Sequence, residues 1–317
     1  VAVIPRTKAG LVKFRPVGRG SRVALVAPAS PFRRAAFDDG VAELRRLGLD
    51  PVFDESIFET QPIVAGPAKL RAQALVAAAT RPGVDAVVAV RGGYGSAEVL
   101  PHLDAAVLRR ARTAVVGYSD ITSLHAYLNG HVRLASVHGA MLDGVLSRGA
   151  EAYDATTWLS SLGTAPLGEV APEGLEVIRP GEATGPILGG TLIQIAASLG
   201  TPYEFLPLPR YVLFIEEVGE RPYRVRRLLM QLGQSGRLSG ATGVVLGQMV
   251  SCDEPGGNIS VRDVVREFFA EFPGPVIFGF PSGHTTSRFV SFPLGVETRV
   301  VATGTPRVVF TEAPAAE

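Results

Sequence analysis

Along the first half of the chain, short runs of small and β-branched apolar residues alternate with longer segments whose apolar positions recur every three to four residues. "SRVALVAPAS" (21–30) predicts a buried strand running toward a helix, with Pro31 placed for the first helical turn. "RRAAFDDGVAELRRLG" follows with helical spacing and a stop at Gly48. "AKLRAQALVAAATRPG" predicts a second helix, ended by a Pro-Gly pair. "VDAVVAV" and "TAVVG" are apolar at consecutive positions, the pattern of strands covered on both faces, and a further helix is expected to begin near Asp120. Strands of this kind alternating with helices predict a parallel sheet with helices on either side. In such sheets ligands bind beyond the carboxyl ends of the strands. Both "RGGYG" (91–95) and "GYSD" (117–120) stand at such ends.

Between about 160 and 186 the texture changes. "SLGTAPLGEVAPEGLEVIRPGEATGP" is rich in Gly and Pro and has no helical period. We therefore divide the chain into an N-terminal α/β domain (1–165), a linker (166–185) and a C-terminal mixed α/β domain (186–317). The second domain is expected to contain the strands "YVLFIEE", "TGVVLGQM", "PVIFGF", "VETRVVATG" and "RVVF". Its two clear helices are "YRVRRLLMQLGQSG" and "VRDVVREFFAEF".

Composition narrows the classes. The 317 residues are 46% apolar and 19% charged, as in a folded protein, and the formal net charge is +1. That balance gives no electrostatic reason to expect a nucleic-acid partner. The basic residues are overwhelmingly arginine, which we read as a bias of the source and not as a binding signal. No window approaches a membrane span, and "VAVIPRTKAGLVKFRPVG" lacks the apolar core of a signal peptide, so a cytoplasmic location and no membrane partner are expected. A single cysteine, Cys252, allows neither an internal disulfide nor a cysteine-based zinc cluster, and no cofactor or metal is expected.

The local signals for chemistry are individually soft. Ser119 precedes a helix, where a hydroxyl most often caps free N–H groups. The stretch is not the G-x-S-x-G elbow, because Ile121 stands where the second glycine belongs. A strand, a sharp turn and a helix nevertheless expose a hydroxyl while aiming N–H groups at the same place. "RGGYG" does not fit a dinucleotide fingerprint, but its glycines allow close backbone approach, and an N–H of Gly92 or Gly93 could join that of Asp120 in an oxyanion hole. Among His102, His125, His131, His138 and His284, His125 is poorly placed to bond Ser119, and His138 could line the crevice or only pack. His284 stands out in the loop "FGFPSGHTTSRFVSFPLG". Strand alternation puts Val212, Phe214 and Glu216 on one face and Leu213, Ile215 and Glu217 on the other, so one carboxylate of the pair should turn inward and need a partner.

Taken in order, "VALVAPAS", "AVRGGYGSAEVLPHLD", "VVGYSDITSLHAYL", "SVHGAM", "ILGGTLIQIAASLGTPY", "VLFIEEVGERPYRVRRLLMQL", "GVVLGQM" and "FGFPSGHTTSRFVSFPLG" resemble the LD-carboxypeptidase (muramoyltetrapeptide carboxypeptidase) family of serine peptidases, which includes the microcin C7 immunity proteins. The resemblance implies a flavodoxin-like N-terminal sheet and a smaller β-rich C-terminal domain, with the site between them and often facing a homodimer mate. It implies Ser119 as nucleophile, Glu216 as carboxylate (Glu217 as fallback), His284 as base, and the Gly92 and Asp120 amides as oxyanion donors. Gly93, Tyr94 and His138 are further candidates for substrate contact. The implied reaction is metal-independent release of D-alanine from a cytoplasmic murein tetrapeptide during peptidoglycan recycling. An aminoacyl-nucleotide amidase of the immunity branch is the nearer alternative; it should present an aromatic platform, and the single tryptophan is Trp158. A two-domain protein that only binds a small ligand is the more distant one. Ala140, Thr191 and Arg226 depart from the family pattern, which bears on substrate fit and not on the triad. The residue that holds the terminal carboxylate is not singled out, because arginines are plentiful.

Overall fold

The computed structural model describes residues 10–317. The signal-peptide reading falls largely on residues 1–9, which lie outside the described residues.

Five strands of the first half, β1 (Arg22–Val26), β2 (Asp50–Val52), β3 (Val84–Ala89), β4 (Ala114–Gly117) and β5 (Ser136–His138), pair in parallel in the order β2-β1-β3-β4-β5. This is the flavodoxin-like winding that the resemblance implied. The central strands are buried on both faces, which is why they read as unbroken apolar runs. The helix Arg34–Arg46 buries Phe37, Val41 and Leu44 against the sheet and stops where Gly48 turns to φ 84°. It begins later than Pro31 suggested. Residues 28–33 instead form a loop in which the Ser30 hydroxyl donates to the Ile63 carbonyl at 3.0 Å.

The second half adds β6 (Gly168–Val170), β7 (Glu176–Arg179), β8 (Glu182–Thr191), β9 (Tyr211–Glu216), β10 (Ala241–Gly247), β11 (Val276–Phe280), β12 (Phe292–Leu294), β13 (Glu297–Val301) and β14 (Arg307–Phe310). All but β12 form an eight-stranded sheet in the order β6-β14-β13-β8-β9-β10-β11-β7. Its centre, β8 to β11, is parallel and its flanks are antiparallel. The helices Pro222–Gln234 and Val261–Phe268 lay Leu229, Leu232, Val264 and Val265 on one face of this sheet. Phe214, Phe280, Phe292 and Phe310 fill the other.

Two features depart from the division into domain, linker and domain. Residues 166–185 are not a free connector: they hold β6, β7 and the start of β8. β6 and β7 are edge strands of 3 and 4 residues between left-handed turns at Gly168, Gly174 and Gly181, too short for alternation to show. In addition, β12 returns to the first sheet and pairs antiparallel with β5, Phe292 opposite His138. The second half of the chain thus closes the edge of the first domain beside the candidate site. No helix among the described residues is long and apolar enough to cross a membrane.

Candidate active site

β4 ends at Gly117, where a Cβ would lie 2.7 Å from Ile121 Cγ2, so the chain turns back on itself too tightly for a side chain. Tyr118 is extended and Ser119 takes φ 61°, a left-handed conformation that a non-glycine residue adopts at a cost on the order of 1–3 kcal/mol. A short 3₁₀ turn (Ser119–Ile121) then leads into the helix Thr122–Tyr127. The Ser119 hydroxyl caps no N–H group of that turn, and among the described residues it makes no hydrogen bond. Capping therefore does not account for this serine.

The loop after β3 presses against the same turn. A Cβ on Gly92 would sit 3.0 Å from Ser119 Cβ, 3.2 Å from Asp120 N and 3.3 Å from Ser119 Oγ. Only a residue without a side chain lets the backbone come this close. The Asp120 carboxylate points away from the opening and accepts the Ser96 N–H at 2.8 Å, while Ser96 Oγ donates to the Asp120 carbonyl at 2.5 Å. Burial raises the Asp120 pKa against the opposing effect of these Ser96 bonds. Gly93 (φ 96°) leaves room for Ser30 Oγ, which accepts the Tyr94 N–H at 3.0 Å. Tyr94 itself is exposed at the rim. Arg71, buried beneath, donates to the carbonyls of Pro28 (2.5 Å), Gly95 (2.7 Å) and Gly66 (2.8 Å) and pairs with Glu98. One guanidinium thereby ties together the loops after β1 and β3.

The second half of the site hangs on β9. Glu216, with 0% of its side chain exposed, accepts on Oε2 both the backbone N–H of His284 (2.8 Å) and its ring Nδ1–H (2.9 Å), and on Oε1 the Thr191 hydroxyl. Burial works against the charged carboxylate, but the His284 bond and charge prevail and hold its pKa below the ordinary value. Burial likewise disfavours the His284 cation, and Glu216 reverses that, raising the imidazole pKa. With Nδ1–H committed to Glu216, Nε2 is left as the basic nitrogen and makes no hydrogen bond among the described residues. Gly283 (φ 82°) is required here, since a Cβ would fall 2.4 Å from the Glu216 carboxyl carbon. Gln248 holds the rest of the loop, accepting from Thr285 Oγ1 (2.7 Å) and the Thr286 N–H (3.0 Å).

The fallback carboxylate, Glu217, faces the other way. It accepts the N–H groups of Ile193 (2.8 Å) and Val218 (2.9 Å) and so serves the first turn of the helix Leu192–Ser198. Burial pushes its pKa up to about 7, against those two bonds.

The halves meet through two threonines: Thr122, which the sequence did not single out, and Thr191, whose departure from the family pattern was expected to bear on substrate fit alone but which bonds the candidate carboxylate Glu216 itself. Thr122, one turn after Ser119, accepts the Thr191 N–H at 3.0 Å, and Thr191 is the residue that donates to Glu216. Gly190 allows the contact, as a Cβ there would lie 2.4 Å from Thr122 Oγ1. On the other side, the Tyr118 ring stands edge-on to the His284 ring, centroids 5.4 Å apart. These contacts bring the turn that carries Ser119 and the loop that carries His284 together, without a hydrogen bond between the two side chains.

Of the other candidates, His138 packs and does not line the opening. It is fully buried between Phe214, Phe289 and Phe292, neither ring nitrogen has a partner, and burial lowers its pKa to about 3. His125 is a brace: its Nε2–H donates to the Gly117 carbonyl at 2.8 Å, and burial lowers its pKa to about 4. His102 is exposed, and His131 bonds the Glu204 carbonyl. Trp158 lies in the core with its indole N–H on the Ala140 carbonyl at 3.2 Å, so it offers no open platform.

Comparison with known proteins follows the same division. Residues 23–139 match the family model of the LD-carboxypeptidase N-terminal domain, and residues 184–300 that of the C-terminal domain. "Putative carboxypeptidase SCO6489" from Streptomyces coelicolor is 36% identical over 93% of this chain and 95% of its own length. The murein tetrapeptide carboxypeptidase of Pseudomonas aeruginosa is 29% identical over 83% of this chain and 88% of its own. Among solved structures, the microcin C7 self-immunity protein MccF in its wild-type apo state superposes with a TM-score of 0.87 over 96% of this chain and all (100%) of that one, at 21% identity, a likeness of fold. This chain belongs to the LD-carboxypeptidase family and is a serine-type carboxypeptidase.

Proposed function

We propose that the chain removes the terminal D-alanine from murein tetrapeptides, with Ser119 as nucleophile, His284 as general base and Glu216 as the carboxylate that orients it. The observation that carries this reading is the division of labour at the opening: a strained, unbonded hydroxyl on one side, and on the other an imidazole whose Nδ1 is held 2.9 Å from a buried carboxylate. His284 Nε2 takes the proton as Ser119 Oγ attacks the carbonyl carbon of the L-to-D peptide bond. The tetrahedral oxygen is received by the N–H groups of Gly92 and Asp120, whose backbones already adjoin Ser119. His284 then returns the proton to the leaving amine, D-alanine departs, and water hydrolyses the acyl-serine by the same proton route. The name of the Pseudomonas relative supports the choice of substrate. A role in cytoplasmic peptidoglycan recycling accords with that substrate.

The test is mass spectrometry of L-Ala-D-Glu-meso-diaminopimelate-D-Ala after incubation with wild type and with Ser119→Ala. Release of D-alanine by wild type alone, unaffected by EDTA, is expected, with a loss of at least about 10⁴-fold in the variant. Release by both proteins removes Ser119 from its assigned role. Release by neither, with both folded, turns the search to aminoacyl-nucleotide amides.

A further inference from the structure

An enzyme that trims one C-terminal residue must hold a free carboxylate close to its nucleophile, since successive carbonyl carbons along a peptide are within about 4 Å of each other. Arginines are plentiful in this chain, and the structure separates them. Arg71 is saturated by three carbonyls and Glu98. Arg288 bonds the carbonyls of Ala150 and Tyr153 at 3.3 and 3.1 Å. Arg33 is bonded to Asp143 through both its side chain (3.2 Å) and its backbone N–H (3.4 Å).

Arg91 differs. It immediately precedes Gly92, the residue whose backbone adjoins Ser119, and its side chain is 45% exposed. Its Nη1 donates to the Pro31 carbonyl at 3.2 Å and lies 3.7 Å from Asp143 Oδ2, while Nε and Nη2 have no partner among the described residues. Asp143 is already shared with Arg33, so two guanidiniums stand over one buried carboxylate and the cluster keeps a positive charge. Of the other carboxylates in the site region, Glu216 is paired with His284 and Glu98 with Arg71. Arg148, exposed and in no ion pair among the described residues, adds a further cation on the same side: its charge and that of Arg91 both act on the Tyr118 phenol. The Tyr118 hydroxyl points toward Gly144, 3.8 Å from where a Cβ would be, and makes no hydrogen bond.

We propose that Arg91 is the specificity residue that grips the terminal carboxylate of the substrate, with Arg148 and the Tyr118 hydroxyl completing a positively charged mouth beside Ser119. Two free N–H groups on a planar guanidinium suit a carboxylate, and pinning Nη1 to Pro31 fixes the fork in advance. The proposal rests on the carboxypeptidase reading of Ser119. It explains why cleavage would be confined to the chain end.

Calorimetry on full-length Ser119→Ala, which binds without turnover, tests it with two ligands: the murein tetrapeptide and the same peptide ending in D-alaninamide. The acid is expected to bind at least about tenfold tighter than the amide, as for an exposed but charge-assisted contact. Adding Arg91→Met should bring the acid down to the affinity of the amide and leave the amide unchanged, while Arg91→Lys retains part of the preference. Equal binding of acid and amide to Ser119→Ala, or equal weakening of both by Arg91→Met, overturns the clamp. Wild-type turnover of the tetrapeptide, run alongside, separates the two ideas. If wild type cleaves while Arg91→Met keeps the preference, only the clamp falls; if wild type does not cleave, the carboxypeptidase reading falls and takes the clamp with it.

Discussion

Two parallel strands, β4 and β9, each end at the opening, and they equip it by different means. β4 ends in backbone geometry: Ser119 is placed by a left-handed turn, by Gly117 and Gly92 at near-contact, and by the Asp120–Ser96 bonds. β9 ends in side-chain chemistry: Glu216 is fixed by three donors and in turn fixes the tautomer and tilt of His284. The first half should therefore be vulnerable to steric change in the main chain, and the second to the loss of a single charge. Glu216 and Glu217 repeat the contrast at adjacent positions. Strand alternation sends one carboxylate to an imidazole and the other to a helix N-terminus.

The largest effect is expected on the charge side. Glu216→Gln keeps the shape but removes the ion that raises the His284 pKa, and kcat should fall by about 10³–10⁴-fold. The pH profile carries the sign. In wild type the proposed base must be neutral, so activity should be lost as pH falls through a His284 pKa lying above its ordinary value of 6.5. Without the Glu216 charge, burial is opposed only by the lesser pull of Glu217, and the acidic limb of the profile should move to lower pH. An acidic limb that stays in place would detach Glu216 from the base.

A smaller effect is expected on the backbone side. Gly92→Ala puts a methyl group 3.3 Å from Ser119 Oγ and 3.2 Å from Asp120 N, displacing the proposed nucleophile and oxyanion donor together. Turnover should drop by about 10²-fold with the melting temperature within ~3 °C of wild type. Steady-state kinetics and thermal denaturation on the same samples check this; equal losses in both would mean a folding defect in place of a local one.

Glu217→Gln should have the least effect on turnover and a distinct effect on stability. Its folded-state pKa of about 7 stands above the ordinary 4.5, so its contribution to stability is fully present below pH 4.5 and is lost as pH rises through 7. Between those limits the unfolding free energy of the variant should gain on wild type by ~3 kcal/mol. Denaturant titrations across that range measure it.

Much of this was legible in the residues. The parallel sheet followed from consecutive apolar runs, because a strand covered on both faces needs no polar positions, whereas its flavodoxin-like order came from the family resemblance. Ser119, Glu216 and His284 could be proposed only jointly: each has a commoner structural use, and the ordered motifs made them candidates. Other features were hidden for physical reasons. β6, β7 and β12 are too short to show a period and owe their existence to neighbouring strands. The Thr122–Thr191–Glu216 relay joins residues far apart in the chain through bonds that no local pattern encodes. Arg91 looked like one arginine among many until its free N–H groups and its place beside Gly92 set it apart.

The most direct test is whether Ser119 and His284 act as one unit. Wild type, Ser119→Ala and His284→Ala would be treated with a fluorophosphonate and the modified residue mapped by peptide mass spectrometry. Stoichiometric labelling at Ser119 in wild type is expected, with none in Ser119→Ala and a rate reduced by at least about 10³-fold in His284→Ala. Labelling at another residue, or at Ser119 with an undiminished rate in His284→Ala, would contradict a nucleophile on the end of β4 served by a base from the other domain.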